Sequence, residues 1–330
     1  GVQTCALPIS APAWLQVSWI IGTYLLWDVL FTVSEVPSFG ISTAMTRNES
    51  ERTSLLALTQ IGSVLGVVIY TLAIAPLFED GVDALNWVAL AAIPVALAIG
   101  TMVPQIFTVR ERHTAPVAAS ENVPFRRMLR EALRNDQHFI MMAFFTSQAF
   151  LNAAGVFAVF VAEYIYGNAQ FALITQAITA LGIMILGALS PAIVARFGKR
   201  RFLEVSMLAT IVLSIPVFFI PWEQGILALV FLGLRTMTLV VTSILRPMFT
   251  ADCIEYGQAK NGIRNDGVAF SVQTFFNKTG DAIGQSLGTW ILALVAYNEL
   301  LPLAQQSLDT MRSLHLWYII LPMIMAVVMY

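Results

Sequence analysis

The chain has 330 residues, of which 58% are hydrophobic and 12% charged, and its mean hydropathy is +0.75. Soluble domains average about 25% charged residues, so the composition excludes an ordinary soluble domain and indicates an integral membrane protein. A net charge of −2 argues against a nucleic-acid partner, and two cysteines without metal-ligand spacing exclude a disulfide framework or zinc cluster.

The first residues, GVQTCALPI, have neither membrane nor globular logic and match the translation of a sequencing-library adapter. Residues 1–10, Cys5 included, are expected to be a read artefact. A bilayer core of about 30 Å takes roughly 20 apolar residues of helix. On that length nine spans follow, at 14–43, 54–78, 86–109, 138–165, 169–195, 202–220, 226–251, 268–297 and 314–330. The last apolar run is still open at Tyr330, and three spans precede the long central loop against six after it. The chain is therefore expected to be a fragment of a twelve-helix protein.

In the first span Asp28, Thr32 and Glu35 stand at i, i+4 and i+7, which puts all three on one helical stripe. Pro37 follows and removes a backbone donor, so a kink is expected there. Two carboxylates and a hydroxyl facing a cavity can bind sugar hydroxyls, a hydrated sodium ion or a proton. Alternatively, one carboxylate lies at a helix interface or pairs privately with an arginine.

The basic residues orient the spans. Loop 44–53 carries Arg47 and Arg52, and loop 110–137 carries Arg110, Arg112, Arg126, Arg127, Arg130 and Arg134. Loop 196–201 carries Arg196, Lys199, Arg200 and Arg201, and loop 252–267 carries Lys260 and Arg264. The opposite loops hold only Arg312. By the positive-inside rule the first set is cytoplasmic. Within 110–137, Phe125, Met128, Leu129, Ala132 and Leu133 fall at helical spacing among arginines, the pattern of a short amphipathic helix on the membrane surface.

Three further cations fall within or at the edges of spans: Arg235, Arg246 and Lys278. Arg235 needs either a carboxylate on another helix or an anionic group on a ligand. Arg246, nearer a span end, reads as structural or gating. Asp252, Glu255 and Arg264, with the run Lys199–Arg201, bracket the cytoplasmic mouth, where ion pairs could close an inner gate; solvated charges are the alternative. The stretch TFFNKTGDAIG (274–284) places Lys278 and Asp281 three residues apart, close enough for a local i, i+3 pair. Gly280, Gly284 and Gly288, and separately Gly62 and Gly66, repeat at four-residue spacing, which permits close helix approach.

The segment ADCIEYGQAKNGIRNDGVAFSVQTFFNKTGDAIGQSLG (251–288) resembles the glycoside–pentoside–hexuronide:cation symporter family of the major facilitator superfamily, to which melibiose permease belongs. The matching positions are Asp252, Glu255, Tyr256, Gly257, Arg264, Asp266, Gln273, Thr274 and Lys278. TYLLWDVLFTVSEVPSFG followed by TRNESERTSLL looks like that family's fourth helix and fourth loop, and SPAIVARFGKRR resembles the superfamily's basic loop motif, with Ala195 where an acid is common. Thr59 stands where the family often has an arginine.

The resemblance implies an all-α polytopic fold, with the nine spans as helices four to twelve. Residues 11–109 would complete the N-terminal bundle, 110–137 would form the central loop, and 138–330 the C-terminal six-helix bundle. It implies cation-coupled sugar or glycoside symport, possible for a uronate, in a bacterial inner membrane. The expected protein is a monomer and not an enzyme, with no cofactor beyond a transported sodium ion or proton; a lipid or lysolipid transporter is the alternative. The implied substrate and cation residues are Glu35, Asp28, Thr32, Phe39, Gln273, Thr274, Lys278 and Arg235, with Glu35 in the place of the substrate-binding acid. The implied gate comprises Asp252, Glu255, Arg264, Lys199 and Arg200. Lys278 is expected to hold together carboxylates of the N-terminal half, Glu35 or acids of the missing second helix, when no cation is bound, and Glu35→Gln is expected to cost binding or coupling far more than Asp28→Asn.

Overall fold

The computed structural model describes residues 12–46, 48–74, 87–109, 126, 130, 134–167, 170–261, 266–298 and 306–330. Among these there are eleven α-helices and no strand. We number them α1 (Ala13–Met45), α2 (Glu49–Ile74), α3 (Trp87–Thr108), α4 (Asp136–Thr146), α5 (Gln148–Phe160), α6 (Gln170–Phe197), α7 (Lys199–Phe219), α8 (Gly225–Leu239), α9 (Val241–Asn261), α10 (Asp266–Leu294) and α11 (Leu308–Met329). Among the described residues, each expected span falls mainly on helix. Two are divided, one at Ser147 between α4 and α5 and one at Val240 between α8 and α9. Both breaks are αR residues, and neither carries a proline or glycine that would announce it.

Seven helical stretches are long and apolar enough to cross a membrane by length and composition. In α3 the corresponding apolar run is shorter, Ala91–Pro104. Along α10 the polar residues Gln273, Thr274, Asn277, Lys278, Asp281 and Gln285 interrupt the apolar sequence. A helix that keeps so many polar groups in such a chain needs a polar surface to face.

Local signals set the ends. Asn135 caps α4, its Oδ1 accepting from the His138 backbone N–H at 3.1 Å, and Ser307 caps α11 by accepting from Thr310 at 3.1 Å. These caps satisfy amides that the helix leaves unpaired. Between α6 and α7 the chain reverses at Gly198, whose φ of +81° is open to glycine without strain. Pro37, in contrast, lies inside α1, which continues through it to Met45. The acidic motif of 252–257 lies on the last turns of α9, so that helix extends ten residues beyond the expected span end at residue 251, to Asn261. The amphipathic segment of the central loop falls outside the described residues except for Arg126 and Arg130, which are helical and exposed.

Helices α4–α11 pack into one bundle, with α11 against α5 and α7, α8 against α6 and α7, and α10 against α4 and α5. Helix α1 lies along α10, and α2 packs on α6 and α9. Two apolar clusters hold the bundle. One, nearer the basic end, includes Met142, Phe145, Met207, Ile244, Leu245 and Met248; the other includes Phe157, Val217, Leu232, Leu314, Ile319 and Leu321.

The α5–α10 contact depends on small residues. A Cβ at Gly284 would sit 2.6 Å from Asn152 Cβ and 2.7 Å from the Ala149 carbonyl oxygen, and one at Gly288 would sit 2.6 Å from Val156 Cγ2. Gly284→Val is therefore expected to destabilise the fold by about 1–3 kcal/mol, the usual range for overpacking. Thermal unfolding of the purified protein in detergent checks this; an unchanged midpoint would contradict the packing. Gly62 and Gly66 have no described atom within 4 Å of such a Cβ. Their spacing therefore does not mark a described helix contact, and Gly62→Ala is the neutral control.

Candidate functional site

The polar stripes of α1 and α10 meet. Lys278 Nζ donates to Asp28 Oδ1 at 2.6 Å, to Thr32 Oγ1 at 2.7 Å and to the Asp28 carbonyl oxygen at 3.2 Å. An ammonium has three donors, and all three are used. Thr32 in turn donates to the Asp28 carbonyl at 2.8 Å, one helical turn back. The i, i+4 spacing read in the sequence is thus what places the carboxylate and hydroxyl around one cation. Phe31 completes the surround, its ring centroid 5.6 Å from Nζ.

The expected local pair between Lys278 and Asp281 does not form. Asp281 Oδ1 accepts from Asn152 Nδ2 on α5 at 2.7 Å, while Lys278 points to α1. Position on the wheel explains this: three residues rotate the side chain about 60° short of a full turn, enough to send the two groups to different neighbours. The counter-ion of Lys278 is Asp28 rather than Glu35. Glu35 Oε2 accepts from Thr274 Oγ1 at 3.2 Å, one turn further along the same interface, and lies within electrostatic reach of Lys278, Arg246 and Asp28. The Lys278 and Asp28 side chains remain 29% and 34% exposed.

Arg246 belongs to this network, which its position near a span end did not indicate. Its Nη1 donates to Asn277 Oδ1 at 2.6 Å, Nη2 reaches Gln148 Oε1 at 3.5 Å, and the guanidinium lies 5.2 Å from the Phe145 ring centroid. Asn277 stands beside Lys278 in sequence, so α10 carries two adjacent polar residues that engage different helices. The signal available in the sequence was Asn277 itself, an amide at membrane depth that requires a partner.

The remaining expected site residues lie apart. Gln273 is buried and its Oε1 accepts from Thr250 on α9, so its amide turns away from Glu35. Phe39 stacks on Phe270 with ring centroids 5.6 Å apart and planes 16° from parallel, although it also lines a wide cleft of about 1120 Å³ with Glu35, Ser38 and Thr59. Arg235 is on α8, buried beside Tyr318. It contributes to a second cavity of about 490 Å³ between α5, α6, α8 and α10.

At the basic end a second charge cluster joins α2, α7 and α9. Lys199 Nζ donates to Asp252 Oδ1 and Oδ2 at 2.6 and 2.8 Å and to Glu49 Oε1 at 3.0 Å. Arg52 Nη1 pairs with Glu255, and its Nη2 lies 3.6 Å from Asp252. The two cations are 4% and 8% exposed, while their carboxylate partners Asp252, Glu255 and Glu49 are 39%, 51% and 69% exposed, so buried cations are held by partly solvated acids. Arg52 and Glu49 were visible only as loop charges in the sequence. Arg200 does not join them: it is exposed and pairs with Glu204 at 2.7 Å along its own helix. Arg264 lies outside the described residues.

The sequence profile of the MFS/sugar transport protein family matches residues 5–330. The chain belongs to this family. It is 25% identical over 324 residues to an isoprimeverose transporter of Lactiplantibacillus pentosus, covering 92% of this chain and 64% of that protein. It is 24% identical over 322 residues to a candidate 2,3-dihydroxypropane-1-sulfonate exporter of Salmonella typhimurium, covering 92% and 66%. It is also 24% identical over 297 residues to a glucuronide carrier protein homolog of Escherichia coli, covering 86% and 64%. The chain thus spans just under two thirds of the length of these relatives. As a family member with an all-helical, strongly apolar fold it is a polytopic membrane protein, and its relatives are transporters.

Proposed function

We propose that the intact protein is a secondary transporter that couples the uptake of a sugar or glycoside to a sodium ion or proton by alternating access. The observation that carries this is the Lys278 ammonium, held by a carboxylate, a hydroxyl and a carbonyl of α1. These oxygens are the kind that a desolvated alkali cation uses. An ion or proton entering the α1 stripe would compete with Lys278 for Asp28, so the link between α1 and α10 would change with loading. Half-exposed charges at membrane depth are otherwise expensive to keep.

In this reading the basic face is cytoplasmic, the membrane is the bacterial inner membrane, and the Lys199–Asp252 and Arg52–Glu255 pairs close the inner mouth. The protein carries out no covalent chemistry and uses no cofactor beyond the transported ion. The lining of the 490 Å³ cavity, with Gln148, Asn152, Gln176, Thr179 and Gln285, supplies the amides and hydroxyls that a sugar requires and favours it over a lysolipid. Expression from the complete gene, followed by uptake of labelled glycosides into membrane vesicles, tests the proposal. Saturable accumulation that collapses with the sodium or proton gradient is expected. Uptake indifferent to both gradients would contradict it.

A further inference from the structure

Arg235 is a buried cation with an incomplete set of partners. It is 2% exposed, its Nε has no hydrogen-bond partner, and Nη1 reaches only the Tyr318 carbonyl oxygen, at 3.5 Å. Its guanidinium lies 5.2 Å from the Tyr318 ring centroid. Among the described residues it forms no salt bridge; the titratable side chains that reach it are Tyr318, Tyr166 and His315, and none of these supplies a negative charge near pH 7. The carboxylates of α1 and α10 at membrane depth are engaged elsewhere, Asp28 with Lys278, Glu35 with Thr274 and Asp281 with Asn152. Leaving a guanidinium buried without an anion is costly, so its retention requires a counter-charge from outside the set described.

The cavity that Arg235 lines indicates where that charge comes from. Its volume of about 490 Å³ falls within the usual range of small-molecule sites, roughly 300–1,000 Å³. Arg235 is the one charged residue among the described lining residues, and the polar remainder consists of neutral amides and hydroxyls such as Gln148, Asn152, Gln176, Thr179 and Gln285. Neutral hydrogen-bonding groups match a polyhydroxylated ligand. A lone guanidinium matches an oxyanion on it, which the planar fork can grip through two parallel bonds.

We infer that this cavity binds a polyhydroxylated substrate bearing a carboxylate or sulfonate, with Arg235 as the anion anchor. The inference rests on the transport reading above and specifies its substrate class. It resolves the two options that the sequence left for Arg235 in favour of the ligand.

The test compares matched probes by isothermal titration of the purified protein expressed from its complete gene: methyl β-glucuronide, methyl β-glucoside, which lacks only the charge, and 2,3-dihydroxypropane-1-sulfonate. The expected result is binding of the glucuronide at least tenfold tighter than of the glucoside. Arg235→Gln should remove that preference and Arg235→Lys should retain part of it. The comparison of probes on the unmodified protein stands even where a variant fails to fold. Equal affinity for the two glycosides would overturn the anion anchor and leave sugar transport standing. Binding of the sulfonate without either glycoside would keep the anchor and overturn the sugar reading. Binding of none of the three would overturn both.

Discussion

Lys278→Ala is expected to abolish cation-driven accumulation while the protein still reaches the membrane and exchanges substrate down its gradient. In the structure the ammonium is the link between α1 and α10 at membrane depth, with its three donors on Asp28 and Thr32. Removing it leaves the oxygens of α1 able to take a cation without any competing group, so loading no longer changes the link. Substrate groups on α8 and the cavity wall are untouched by the change. Accumulation ratio and equilibrium exchange, measured in the same vesicles, separate the two effects. Loss of both together with normal expression would assign Lys278 to substrate binding. Retention of both would remove it from the mechanism.

The second large effect is expected at the basic mouth. Arg52→Ala removes the cation that pairs with Glu255 and approaches Asp252, leaving Glu49, Lys199 and Asp252 as the ion pairs among the described residues that still link α2 to α9. The Glu255 and Asp252 carboxylates left behind are 51% and 39% exposed and can be hydrated, so the loss is that of a partly solvated pair, on the order of 1 kcal/mol. The change should therefore shift the protein toward states with this mouth open. Cys253 supplies the readout: it is buried next to Asp252, 6% exposed, and its carbonyl oxygen accepts from Asn135 at 2.7 Å. In a Cys5→Ser background, Cys253 should react with a membrane-impermeant maleimide severalfold faster in the Arg52→Ala protein, applied from the basic side. An unchanged rate would show that the ion pairs do not hold the mouth. Arg200→Ala, which removes only the exposed pair with Glu204, is the matched control.

The spans were legible because apolar length is a local property that survives any packing arrangement. The pairing of the intramembrane charges was not. Lys278 and Asp281 are neighbours in sequence, and a local pair is the cheapest arrangement that sequence spacing can suggest. The structure separates them because Asn152 and Asp28 sit on helices that only the tertiary fold brings alongside α10. The partners of Arg246 were hidden for the same reason: Asn277 and Gln148 lie 31 residues after it and 98 residues before it. The gate was partly visible through Asp252, Glu255 and Lys199. Arg52 and Glu49 were missed because the start of α2 reads as ordinary loop charge until α9 is placed against it. Gln273 shows the converse. Its match to the family pattern is clear, yet its amide serves the contact with Thr250 inside the bundle.

The central claim is that Lys278 and Asp28 form an exchangeable pair, loaded and unloaded by the transported cation, rather than a static brace. The most direct test is the double variant Lys278→Ala/Asp28→Asn, which removes both charges and leaves neither unpaired. A static brace would be relieved by this change, since removing both members of an ion pair leaves neither charge uncompensated, whereas removing one does. If the pair is the coupling element, the double variant should express well, exchange substrate, and still fail to accumulate it against a gradient in the presence of sodium or a proton gradient. Restored accumulation in that variant would contradict the claim.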